Sequence, residues 1–202
     1  MRWLPAAVAI LLLQGAWRLA TAQSTRPEDL GAGKLLVASR DLPDPNFAKT
    51  VVLLVQYDVD GVVGLIVNRR SKVPVSRVLE GVAGAKDRAD LVYAGGPVGR
   101  TEVVALVRSR RAPEDATRVL GDVFLVSAKE ALEQVFGSAM DADKVRVYLG
   151  YAGWTAPQLE NELDLGAWYI FPGSVDVIYD ADPDSLWPRM IRRTELRIAS
   201  IR

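Results

Sequence analysis

Between Gly150 and Glu162 the chain reads Gly-Tyr-Ala-Gly-Trp-Thr-Ala-Pro-Gln-Leu-Glu-Asn-Glu. Gln158, Glu160 and Glu162 there form a dense group of side chains able to grip a polar ligand or move a proton. Thr155 is placed as a helix N-cap, with Ala156 and Pro157 in the first turn and Gln158 near N3, a capping-box spacing. On that helix Gln158 and Glu162 share one face, and Glu160 and Asp164 another. Trp154 sits at a strand edge, where a large ring either buries or serves as a binding platform. The same residues also suit plain structural work, with Gln158 capping, Trp154 packing and the acids on a solvated helix face. Hydrolysis by paired carboxylates would need two acids converging at about 5–9 Å. Glu160 and Glu162 stand two apart on one helix and diverge, so the second acid must come from elsewhere.

Two further groups could hold an anion. Asn68 ends an apolar run beside Arg69 and Arg70, and either binds a carboxylate or phosphate or caps a turn. Gly95-Gly96-Pro97 leaves amides at Gly96 and Val98 that could line an anion nest, or simply reverses the chain. Other motifs fail. Gly31-Ala-Gly33-Lys34 has Glu28 and Leu35 where a phosphate-binding loop needs glycine and Ser/Thr. Asp180-Ala-Asp182-Pro-Asp184 begins like a calcium loop, but Ser185 and Ile191 replace its glycine and its bidentate acid.

The 202 residues contain no histidine and no cysteine, which removes imidazole bases, Ser-His-Asp and Cys-His catalysis, and ordinary zinc sites. No metal and no cofactor is expected. Arg2, the apolar stretch Leu4 to Leu13 and Ala20-Thr21-Ala22 follow the order of a secretory signal, predicting cleavage near Ala22 and a periplasmic or secreted product. The apolar stretch is short for a permanent span, which takes about 20 residues. Cleavage removes Arg2 and Arg18 from 25 basic residues and none of the 25 acidic ones, leaving a formal charge of −2. That balance offers no basic face for nucleic acid. A small polar ligand or a protein partner is expected instead.

The elements that must position these groups follow from hydrophobic patterning. Residues 23–33 read as an exposed lead-in, and 34–202 as one domain. Strands are expected at 34–39, 50–56, 62–68, 91–94, 102–108, 123–126, 145–149, 168–171 and 174–179. Asp58 to Gly61 makes a hairpin turn, and 108–118 reads as a charged surface connection. Helices are expected at 74–79, from a Ser127 cap to Phe136, at 157–165, and at 185–193 with Pro188 in its first turns. The order gives an α+β fold with a mixed sheet.

Four segments carry a family resemblance: Gly33 to Ser39 continuing to Asp44-Pro-Asn-Phe47, Val63 to Arg69, Gly95 to Val98, and Gly150 to Glu162. Together they resemble the AlgH-like (YqgE) family over roughly Gly33 to Trp187. The resemblance implies a bent sheet closing towards a pseudo-barrel with helices packed on it. It establishes no catalytic residues. Some members are linked to transcriptional regulation of exopolysaccharide genes, and most are cytoplasmic, the alternative to export here. This chain departs from the pattern in lacking histidines near Tyr57 and Arg108, and in having Pro157 where glycine is usual. The reading is a non-catalytic binding or interaction module, with Asn68, Gly95, Gly96, Pro97, Trp154, Gln158, Glu160 and Glu162 as candidate binding residues. A carboxylate-based hydrolase and a transcriptional regulator are the alternatives.

Overall fold

The computed structural model describes residues 24–138 and 141–200. The expected signal segment lies outside them. Ten strands run β1 Lys34–Ala38, β2 Val51–Asp58, β3 Gly61–Ile66, β4 Arg70–Pro74, β5 Leu91–Ala94, β6 Val98–Arg108, β7 Thr117–Leu120, β8 Val123–Val126, β9 Val145–Trp154 and β10 Trp168–Pro172. Five helices join them: α1 Val75–Val78, α2 Lys129–Gly137, α3 Ala156–Asp164, α4 Val175–Ile178 and α5 Leu186–Ser200. The sheet order is β10-β1-β2-β3-β9-β6-β8-β7, with β4 paired to β5 and β5 lying parallel beside β9. The other pairs are antiparallel, and the sheet curls into a half-barrel. This is the α+β architecture expected.

The pattern of each strand explains its place. Leu35 to Ala38 and Val51 to Leu54 are wholly buried, so both faces of β1 and β2 are covered, as their unbroken apolar runs require. β9 divides two cores by alternation. Tyr148, Ala152 and Trp154 join the larger core with β1–β3 and α5, whereas Val145 and Val147 join a smaller one with α1 and α2.

Several expectations need correction. Residues 174–179 are not a strand: the Ser174 hydroxyl accepts from the Val177 N–H and starts α4. The cap of α2 is Ala128, not Ser127, and carries no side-chain hydrogen bond. Lys72 and Arg118 sit in strands β4 and β7, which polarity disguised because each is an edge strand with several residues in water. β9 continues past the expected end at residue 149 to Trp154, so Gly150 to Trp154 is strand that passes through the Thr155 cap directly into α3. Pro188 does fall in the first turn of α5, where a missing N–H costs nothing.

Candidate functional site

α3 begins as its sequence dictates. Thr155 Oγ1 accepts from the Gln158 N–H at 3.3 Å, and Pro157 occupies the first turn. One helical turn on, the Gln158 amide reaches Glu162 Oε1 at 3.1 Å. Glu162 Oε2 accepts two indole N–H groups, from Trp168 at 2.8 Å and from Trp154 at 3.2 Å. The rings are themselves locked. Trp168 is fully buried, Trp154 meets it edge-on at 6.1 Å, and Phe47 stacks on Trp154 at 5.3 Å. A carboxylate offers about four lone-pair sites. Three are filled by the described residues, which leave one open on Oε1. Glu162 is therefore an acceptor fixed in direction by two indoles locked in the core.

That carboxylate lies on the wall of a cavity of about 630 Å³. Its other walls are the start of the β1–β2 loop (Ser39 to Asp44, with Phe47), the α3–β10 turn with Leu165, and Ile191 and Thr194 of α5. Glu162, Asp41 and Asp44 place three carboxylates on the lining, against the single guanidinium of Arg40, which stacks over the Trp187 ring at 5.6 Å. Leu165 stands on the rim with 77% of its surface exposed.

Glu160 diverges from Glu162 as its spacing requires. Its Oε1 accepts from the Tyr57 hydroxyl at 3.2 Å. Burial pushes the Tyr57 hydroxyl above its usual value, and the neighbouring carboxylate adds to the effect.

The remaining expected residues sit on the other flank of the β1–β2 loop. Asn68 spends its amide on the backbone, accepting from the Val51 N–H at 2.8 Å and donating to the Lys49 carbonyl at 3.0 Å. Arg69 donates to the Asn46 carbonyl at 2.8 Å. Together they hold the loop against β3, with Lys49 in left-handed backbone at φ +58°. Gly96 and Pro97 line a separate cavity of about 310 Å³ with Arg69 and Arg100. Gly95 lies where the chain leaving β5 crosses β9, and its N–H is bonded to the Leu149 carbonyl. The structure thus brings Trp154, Gln158 and Glu162 together. It places Asn68 and the glycine turn apart from them, joined only through the loop.

Trp168, Phe47 and Arg100 were missed from sequence. A signal existed for Trp168: a buried indole N–H must find an acceptor, and Glu162 lies six residues earlier. Among the described residues no three acids cluster so as to hold a metal ion, and no helix is long and apolar enough to cross a membrane.

A family model described as AlgH-like matches residues 35–199. A UPF0301 protein of Thermobifida fusca is 39% identical over 174 residues, covering 80% of this chain and 85% of its own. A UPF0301 protein of Anaeromyxobacter is 35% identical over 182 residues, covering 84% and 92%. The solution structure of the AlgH protein from Pseudomonas aeruginosa superposes with a TM-score of 0.67 at 30% identity, over 80% of this chain and 87% of that one. A crystal structure from Corynebacterium diphtheriae gives a TM-score of 0.69 at 23% identity, over 82% and 88%, a likeness of fold.

Proposed function

The chain belongs to the AlgH-like family, and from that premise we propose that it is a non-catalytic binding module. Its ligand is a small molecule with a donor head, an amine foremost, and an apolar body. One observation carries the reading: Glu162 is oriented by two indole N–H groups and one amide, on the wall of a cavity, with one acceptor position open. Charge on the lining favours a cation, with three carboxylates against one guanidinium. Phe47, Leu165 and Ile191 supply apolar contact for the rest of the ligand.

A panel of primary alkylamines and their N-acetylated counterparts, followed by tryptophan fluorescence, tests this. Free amines are expected to change the emission of Trp154 and Trp168 saturably, and the acetylated forms to bind at least about tenfold more weakly, as loss of a charge-assisted bond implies. Equal response to both forms, or none to either, contradicts the proposal.

The place of action is part of the proposal. Arg2, Leu4 to Leu13 and Ala20-Thr-Ala22 support export with cleavage near Ala22, which would keep the module from the chromosome. Mass spectrometry of the natural protein is expected to find a chain starting near Gln23. An intact Met1 in the cytoplasmic fraction would refute export while leaving the binding reading untouched.

A further inference from the structure

The second cavity, about 310 Å³, has a charge opposite to the first: Arg69 and Arg100 line it with Asn46, Gly96, Pro97 and Leu149, and no carboxylate does. Neither arginine forms an ion pair with an acid among the described residues. Arg69 is half-buried and gives N–H groups only to backbone carbonyls, of Asn46 at 2.8 Å and Ala48 at 3.5 Å. Burial accordingly pulls its guanidinium below the usual value, with no neighbouring anion to offset the desolvation. Arg100 is exposed at the same mouth.

Gly96 lines the same cavity, and its N–H has no backbone partner among the described residues. Its glycine is fixed by the fold, because a Cβ there would come within 2.1 Å of the Tyr151 carbonyl on β9. The wall is therefore backbone pressed on backbone, a rigid frame on which donors hold their positions. Two guanidiniums and one amide N–H give a charge of about +2 and several forked donors, the complement of a phosphate dianion.

We propose that this cavity binds a phosphate group, held by the Arg69 and Arg100 guanidiniums and the Gly96 N–H. The site is separate from the Glu162 cavity and lies on the opposite flank of the Ser39–Lys49 loop.

Amide NMR and calorimetry at fixed ionic strength test it, with inorganic phosphate, glycerol 3-phosphate and acetate as probes. Inorganic phosphate is expected to shift the Gly96 and Arg100 amides saturably, and acetate to bind at least tenfold more weakly. Glycerol 3-phosphate binding more tightly than the free ion identifies a phosphomonoester as the ligand; the reverse order identifies the free ion. Arg100→Gln alters only an exposed side chain and is expected to weaken phosphate at least tenfold, with an unchanged fold by amide NMR. Arg69→Lys, which keeps the charge but loses the fork, is expected to weaken it as well. Glu162→Gln should leave phosphate affinity unchanged, so this site and the amine site fail or stand separately. No saturable shift at Gly96, acetate binding as tightly as phosphate, or full affinity in Arg100→Gln would overturn the proposal.

Discussion

At the residue scale, the arrangement around Glu162 separates structural from binding work. Trp154 is 6% exposed, stacked on Phe47 and bonded through its indole, so it belongs to the core as well as to the site. Trp154→Ala is expected to cost about 3–5 kcal/mol, the range for large aromatic truncations, measured by denaturant unfolding. Gln158→Ala leaves the Thr155 cap on its backbone N–H in place and removes one exposed hydrogen bond, an expected cost of about 0.5–1.5 kcal/mol. A Trp154→Ala protein as stable as wild type would contradict the packing described. The chemistry of this cluster was half legible in the sequence. Gln158 and Glu162 share a face by helical spacing, and their bond follows. The six-residue spacing hints at Trp168, but that both tryptophans meet on one oxygen of Glu162 depends on how β10 returns beside α3, which no local pattern encodes.

At the element scale, the decisive feature is the crossing of the β5–β6 connection over β9. A Cβ at Gly95 would lie 2.1 Å from the Gly150 carbonyl oxygen, and one at Gly96 equally close to Tyr151. Gly150 itself adopts φ +70°. These glycines are a steric requirement of two backbones in contact, a use the sequence hinted at by their clustering. Gly96→Ala must push the strands apart and is expected to destabilise by about 3 kcal/mol, the upper end for overpacking. A change in unfolding free energy below about 0.5 kcal/mol would show that the strands can part freely. The elements misread from sequence have two causes. β4 and β7 are polar because each is an edge strand largely in water, and the 174–179 run is mostly apolar and β-branched yet helical because the Ser174 cap and core packing of Ile178 outweigh propensity.

At the scale of the whole molecule, the fold was legible where apolar runs are long and unbroken, as in β1 to β3. It was less so in the curl of the sheet, which depends on register shifts such as that between Leu54 and Gln56. Two buried phenols give the molecule a pH response. Burial holds Tyr148 and Tyr179 well above the ordinary value of 10.0, Tyr179 further raised by Tyr148, with the Arg146 cation opposing both shifts. Because the folded values are raised, their contribution to stability is complete below pH 10. It falls as pH rises above 10, where phenols of the unfolded chain ionise first. Among the described residues Tyr148 Oη makes no hydrogen bond of good geometry, its close polar neighbour being the Arg146 guanidinium, so Tyr148→Phe is expected to retain neutral-pH stability. The variant's loss above pH 10 should be shallower by about 1.4 kcal/mol per pH unit. Equal alkaline slopes for variant and wild type would contradict the burial described.

The Glu162 cavity remains the centre of the account, and Glu162→Gln isolates it. The new carbonyl oxygen can accept from both indoles, and the Gln158 amide can turn to present its oxygen to the new NH₂, so the fold has every bond it needs. Only the negative charge and the open acceptor position are lost. Calorimetric titration of the tightest-binding alkylamine into wild type and Glu162→Gln is the direct test. The account predicts at least tenfold weaker binding to the variant at nearly equal unfolding stability. Equal affinity for the two proteins would contradict it.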